Sequence, residues 1–251
     1  MTRNLKVLFT PADFAALTPS ALVGVTCVVF DVLRATSTML TALANGAEAV
    51  HPAAEIAEAL ALRSRWPGAL LGGERGGRRI TAAQAGGVEF DLGNSPREYT
   101  AERVRGRRII STTTNGTRAL RACVGAEAVL AGTFLNLIAV ARWLEARAGA
   151  SVLLVGAGTA EEAAWEDVLA AGALVEILAA GERWALADSA HFAQEAYLRW
   201  GNDLAGSMRF SSNGRRLLAQ PDLAPDVEFC LRRDAVALVA SMDADGALRA
   251  V

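Results

Sequence analysis

Histidine, cysteine and long apolar runs are scarce in this 251-residue chain, and each scarcity removes a class of function. The two histidines, His51 and His191, both read as structural, and no Gly-x-Ser-x-Gly elbow occurs, so a His-activated nucleophile is disfavoured. The three cysteines, Cys27, Cys123 and Cys230, are far apart and odd in number, which leaves neither a zinc spacing nor a redox pair. Their apolar neighbours predict buried free thiols in a reducing cytoplasm. The first residues lack the apolar run of a signal peptide. The most apolar stretch, 21–33, is cut by Asp31 and followed by Arg34, so it is too short and too charged to cross a bilayer. No P-loop with its lysine is present, which removes most nucleotide triphosphatases. A net charge of −2 argues against nucleic-acid binding.

What is present is ample apolar material. Apolar residues make up 52% and charged residues 21%, enough to bury a sizeable core and to exclude disorder. Strand and helix patterns alternate: strands over 25–30, 47–50, 69–71, 108–111, 126–130 and 152–155, and helices over 35–44, 53–65, 116–123, 136–148, 165–180 and 187–200. Ser95-Pro96-Arg97-Glu98 reads as a helix start, with Ser95 as cap. A strand over 235–239 and a turn at Asp243-Ala-Asp-Gly246 lead to a short final strand. With no Pro/Gly/Ser linker between halves, the expectation is one α/β domain over 1–251. Its architecture is a three-layer α/β/α fold with a mostly parallel or mixed central sheet.

One echo runs through the pattern. Gly46-Ala-Glu-Ala-Val50 returns 79 positions later as Gly125-Ala-Glu-Ala-Val129. Both copies follow a strand, a polar loop bearing Thr or Ser, and a helix. Chance in an alanine-rich chain is one explanation. An internal βαβ duplication is the other, and it would set both polar loops at one edge of the sheet, where α/β ligands bind.

The loops carry the chemistry. Ile109-Ile-Ser-Thr-Thr-Thr-Asn-Gly-Thr-Arg118 runs from strand to helix. Its hydroxyls, free amides and Arg118 favour a phosphate or similar oxyanion, although a Thr-rich strand end with an ordinary cap has the same composition. Asp31 ends a strand and precedes Arg34, Thr36, Ser37 and Thr38, a place for a metal-binding or nucleophilic carboxylate or for a helix cap. Gly72-Gly-Glu-Arg-Gly-Gly77 permits close backbone approach around Glu74 and Arg75, or forms a plain surface turn. In Phe90-Asp-Leu-Gly-Asn-Ser-Pro96, capping explains Ser95 and leaves Asn94 over. Glu166 and Asp167 open a helix, where the dipole favours acids and where Mg²⁺ would also find oxygen. Gly156-Ala-Gly158 imitates a dinucleotide fingerprint, but Glu161 fills the third glycine position, so an NAD(P)-linked oxidoreductase ranks low. Leu33 stands where a haloacid-dehalogenase-type phosphatase needs its second Asp.

Taken in order, these blocks resemble the 2-phosphosulfolactate phosphatase (ComB) family. The matching residues are Phe30-Asp-Val-Leu-Arg-Ala-Thr-Ser-Thr38, Ala44-Asn-Gly-Ala47, Gly72-Gly-Glu-Arg75 and Phe90-Asp-Leu-Gly-Asn-Ser-Pro96. They continue with Thr112-Thr-Thr-Asn-Gly-Thr-Arg118, Phe134-Leu-Asn136 and Glu166-Asp-Val-Leu-Ala-Ala-Gly172. The connection 78–88 is longer than usual, and Ala164-Trp165 replaces a smaller or hydroxylated pair. The resemblance implies a Mg²⁺-dependent phosphatase of coenzyme M synthesis that converts 2-phosphosulfolactate to sulfolactate and phosphate.

The resulting expectation assigns catalysis to Asp31, Arg34 and Arg118. Mg²⁺ goes to Asp31 with help from Glu74 and Glu166 or Asp167. Thr36, Ser37, Thr38, Arg75, Asn94, Ser95, Thr114, Asn115, Gly116, Thr117 and Asn136 contact a small anionic phosphorylated substrate. A non-catalytic binder of an anionic metabolite is the competing class. Helices near Trp143, Trp184 and Trp200 offer a homo-oligomer interface, with core packing the simpler use.

Overall fold

The computed structural model describes residues 3–147, 151–181 and 183–251. In chain order the elements are β1 (Arg3–Leu8), α1 (Pro11–Ala15), β2 (Val25–Phe30), α2 (Ala35–Ala44), β3 (Ala49–Ala53), α3 (Ile56–Arg65), β4 (Leu70–Arg75) and β5 (Arg78–Arg79). Then come α4 (Ala101–Val104), β6 (Arg108–Thr112), α5 (Gly116–Ala122), β7 (Ala128–Gly132), α6 (Leu137–Glu145), β8 (Ser151–Gly156) and α7 (Trp165–Ala179). The rest is β9 (Trp184–Leu186), α8 (Asp188–Trp200), the short helices α9 (Leu204–Ser207), α10 (Ser212–Leu218) and α11 (Ala224–Cys230), and a hairpin of β10 (Ala240–Met242) and β11 (Leu248–Ala250).

The strands form one mixed sheet in the order β5-β4-β6-β3-β11-β10-β7-β2-β8-β1-β9. Val-Thr-Cys-Val-Val-Phe in β2 suits a strand buried on both faces. Cys27 and Val29 pack on one side with Met39 and Leu40 of α2 and Leu120 of α5. Val28 and Phe30 pack on the other with α6 and α7 through Val140 and Leu174. That gives the expected three layers. All three cysteines are buried free thiols, and Trp143, Trp184 and Trp200 pack against the core.

The echo is structural, but its geometry differs from expectation. β2 pairs in parallel with β7, from Thr26 opposite Ala128 to Phe30 opposite Gly132. β6 pairs in parallel with β3, from Arg108 opposite Ala49 to Thr112 opposite Ala53. The first strand of each βαβ unit therefore pairs with the second strand of the other, in the same register. Gly46 (φ +90°) and Gly125 (φ +103°) take the left-handed conformation at matching places, between helix and second strand. β3, β11, β10 and β7 alternate in direction, so the block β4-β6-β3 runs opposite to the block β7-β2-β8-β1-β9. The two polar loops consequently do not share one edge of a parallel sheet. They face each other across a pseudo-two-fold relation within a twisted sheet.

Other boundaries also move. The strand expected over 235–239 lies at Ala240–Met242, where it pairs with β7; before it, the Val236 amide donates to the Leu135 carbonyl outside any ladder. The helix expected at Ser95 is a 3₁₀ turn, Pro96–Glu98, and the Ser95 side chain caps nothing. The helix expected over 136–148 ends at Glu145, and position 148 is outside the described residues. β1, β9 and the helices α9 to α11 carry no counterpart in the sequence reading.

Candidate active site

Position 31 of the first unit corresponds to position 113 of the second, because both directly follow the paired strands. The Asp31 amide donates to Thr36 Oγ1 at 3.0 Å, and the Thr113 amide to Thr117 Oγ1 at 3.5 Å. Each strand end is thus tied to a threonine in the first turn of its helix. Between these positions the first unit has Val32, Leu33 and Arg34 before Ala35, and the second has Thr114 and Asn115 before Gly116.

The two helix starts touch. A Cβ added to Gly116 would lie 2.6 Å from Asp31 Oδ2 and 2.7 Å from the Ala35 Cβ, so only glycine fits there. Asp31 Oδ1 accepts from the Ala35 amide at 3.1 Å, and the Gly116 amide also bonds its carboxylate. Glu74, near the end of β4, joins them: its Oε1 accepts from the Thr114 amide (2.9 Å) and hydroxyl (2.8 Å), and its Oε2 from the Gly77 amide (2.6 Å). The helix-start amides expected to hold phosphate hold carboxylates instead.

These groups wall a cavity of about 260 Å³ lined by Asp31, Arg34, Glu74, Gly77, Asn94, Thr113, Thr114, Asn115, Thr159, Asn213 and Arg216 among others. It is below the ~300–1,000 Å³ of drug-sized pockets, and suits a small molecule. A wider cleft of about 840 Å³ beside α9 and α11, lined by Leu204, Leu218, Val227 and Leu231 among others, holds none of the residues the sequence marks. Chemistry therefore selects the smaller one.

Six of the expected residues line this cavity: Asp31, Arg34, Glu74, Asn94, Thr114 and Asn115. The others lie outside its wall, for identifiable reasons. α2 is buried along nearly its whole length, so its hydroxyls must find partners inside the protein. Thr36 serves Asp31, Ser37 donates to the Val32 carbonyl and pairs with Thr133, and Thr38 donates to the Asn94 carbonyl. Thr117 donates to the Thr113 carbonyl. Asn136 is in a capping box with Thr133. Arg75 turns to Thr112 and Glu55, and Arg118 is exposed and meets Glu161 at 3.4 Å. Glu166 and Asp167 stand behind the wall. Glu166 accepts from Ser211 (2.6 Å) and Asn213 (2.7 Å); Asp167 accepts from the Val32 (2.9 Å) and Gly158 (3.3 Å) amides. With Asp167 on the Gly158 amide, that glycine turn holds a carboxylate where a dinucleotide would place its phosphates.

A family model described as 2-phosphosulpholactate phosphatase matches residues 13–245. The chain belongs to that family. A probable 2-phosphosulfolactate phosphatase of Synechococcus sp. (strain JA-3-3Ab) is 41% identical over 233 residues, which cover 92% of this chain and 93% of the relative. One of Gloeobacter violaceus is 39% identical over 247 residues, 98% of each chain, and one of Thermotoga maritima is 40% identical over 209 residues, 83% of this chain and 85% of the relative.

In this member of the 2-phosphosulpholactate phosphatase family, the electrostatics centre on crowded acids. Burial pushes the Asp31 carboxyl up to about 6; the Ala35 amide opposes the shift, and Glu74 and Glu166 add to it. Burial, then Glu166 and Asp31, hold Asp167 well above the usual carboxylate range. Among the described residues no three His, Cys, Asp or Glu side chains form a ready metal cage. Mg²⁺ rarely uses one: it takes one or two carboxylates, waters and substrate phosphate. Buried, mutually repelling acids fronted by Asp31 and Glu74 fit that requirement.

Three parts of the site have no trace in the sequence reading. Asp226, at the start of α11 and fully buried, accepts from Arg34 (2.6 Å), Ser95 (2.7 Å) and Arg97 (2.6 Å). Asn213 and Arg216 come from α10. The Pro225-Asp226 pair, a proline in a first turn followed by an acid, was the one available signal of the α11 start.

Proposed function

We propose that the protein hydrolyses the phosphate ester of a small sulfonated or carboxylated hydroxy acid, taking 2-phosphosulfolactate to sulfolactate and phosphate. The observation that carries this reading is the meeting of Asp31, Glu74, Asn94 and Asn115, from four separate segments, in one small cavity. The names of the relatives point to the same ester.

Asp31 and Glu74 would hold Mg²⁺, which supplies positive charge to the phosphoryl oxygens. The Ala35, Gly116, Thr114 and Gly77 amides keep both carboxylates aimed, so no reorganisation is needed when charge develops. Among the described residues the side chains of Asn94 and Asn115 have no protein partner, and both are donors for substrate oxygens. For phosphoryl transfer such positioning and charge stabilisation supply most of the rate.

The deciding assay is release of inorganic phosphate from 2-phosphosulfolactate in Mg²⁺, after EDTA, and after Mg²⁺ is restored. Turnover that EDTA abolishes and Mg²⁺ restores is expected. Tight binding of the ester without release would leave the protein a binder and end the phosphatase reading.

A further inference from the structure

We propose that Arg216 selects the multiply charged substrate, its guanidinium taking the sulfonate while the phosphoryl group sits deeper, at Asp31. This builds on the phosphatase reading. Among the described residues two arginines line the cavity, Arg34 and Arg216. Arg34 is buried, with Nη1 on Asp226, which Arg97 shares, and Nη2 on the Gly77 carbonyl, both at 2.6 Å, so both ends of its fork are already occupied. Arg216 is exposed and donates a single side-chain hydrogen bond, to Asn213 Oδ1 at 2.9 Å; no acid pairs with it among the described residues. Arg75 and Arg118 are turned elsewhere.

The guanidinium is also aimed. Asn213, which receives it, donates to Glu166 Oε1 and to Thr159 Oγ1, each at 2.7 Å. Arg216 thus continues a bonded chain that starts behind the active carboxylates and ends at the cavity mouth. It lies over Gly77, where a Cβ would stand 3.7 Å from the Arg216 Cζ. Asp31 is nearly closed off from solvent. A substrate with its phosphoryl group at Asp31 has two further acids: the carboxylate, on the carbon that bears the phosphate, stays close to it, and the sulfonate, one carbon further along, reaches outward towards Arg216. The wall offers the sulfonate two carboxylates that repel it and one unmatched fork of donors that fits a tetrahedral oxyanion.

The test compares the wild type with R216Q and R216K on 2-phosphosulfolactate and on 2-phospholactate, which has the same carbon skeleton without the sulfonate. Thermal shift with sulfolactate alone is the second readout. Loss of a charge-assisted contact predicts that R216Q raises KM for the sulfonated ester about tenfold or more. Its kcat/KM should fall on that ester at least about fivefold further than on 2-phospholactate, and R216K should recover part of the difference. Equal losses on the two esters, or an unaltered KM, overturn the proposal. If the wild type releases no phosphate from either ester, the phosphatase reading fails, and the sulfolactate shift decides alone. A shift in the wild type that is much smaller in R216Q supports the proposal; equal shifts, or none, refute it.

Discussion

In the β2–α2–β3 unit the paired strand is followed directly by Asp31; in the β6–α5–β7 unit the equivalent position is Thr113. The two units share a strand register, a threonine tie and a left-handed glycine, yet one presents an acid and the other presents amides that hold acids. Two equal acids facing each other would have raised each other's pKa further, with nothing between them to orient either. The difference also has a steric side. Ala35 begins one helix and Gly116 the other, because a second Cβ at the junction would collide with Asp31. Likeness in the scaffold brings the loops together, and unlikeness at two positions makes a site of them.

Removing the acid breaks the comparison most severely. Asp31→Asn should lower kcat roughly 10²–10⁴-fold, as loss of a positioned catalytic group does, with an unaltered circular dichroism spectrum. The same change should raise the metal-free melting temperature at pH 7.5. Because the folded carboxyl titrates at about 6 and the unfolded one at 3.8, the folded state holds an extra proton between those values. Stability then falls as pH rises through that window, and the full cost, about 1–3 kcal/mol, persists above it. Wild-type turnover in Asp31→Asn would remove this residue from the chemistry.

The additional residue of the first loop is the next target. Arg34 has no counterpart in the second unit and depends on Asp226. Asp226→Ala strands a buried guanidinium and should cost about 3–5 kcal/mol in chemical denaturation. A loss under 1 kcal/mol would show that the pair does not fix this loop. Gly116→Ala should cost about 1–3 kcal/mol by overpacking and lower turnover as well, because the new methyl displaces Asp31. Activity at the wild-type level there would mean that the helix starts are looser than their contact implies. The mildest test concerns what the units share: Thr36→Val and Thr117→Val should each cost about 1 kcal/mol, and markedly unequal values would count against equivalent ties.

Much of this was legible in the primary structure. The limits of β2 and α2 follow from a β-branched run and a stop at Asn45-Gly46, and the repeated Gly-Ala-Glu-Ala-Val segment marked both units. Asp31, Glu74, Thr114 and Asn115 stood out because such residues at or just beyond strand ends have little packing use, and Asn94 because capping accounted for Ser95 and left it over. The hydroxyls misled, because nothing local shows that α2 is buried on every side and that Thr36, Ser37 and Thr38 are spent on internal partners. The arginines misled for a related reason. Arg118 adjoins the most polar loop in sequence, whereas Arg216 reaches the cavity from a seven-residue helix too short to show a period. Asp226 is 131 positions from the Ser95 hydroxyl that it accepts from, a distance over which pattern carries no information.

The hairpin of β10 and β11 has a consequence for biosynthesis. It is the sole hydrogen-bonded link between the two oppositely running blocks among the described strands, and it comes after every other strand in the chain. Each block can begin to assemble while the polypeptide is still emerging from the ribosome, but the sheet cannot be sealed until residues 240–250 are free of the exit tunnel. A nascent chain arrested before residue 240 should therefore hold its two blocks together only through the packing of α2 and α5 across them, and catalytic competence should arrive only with those last strands.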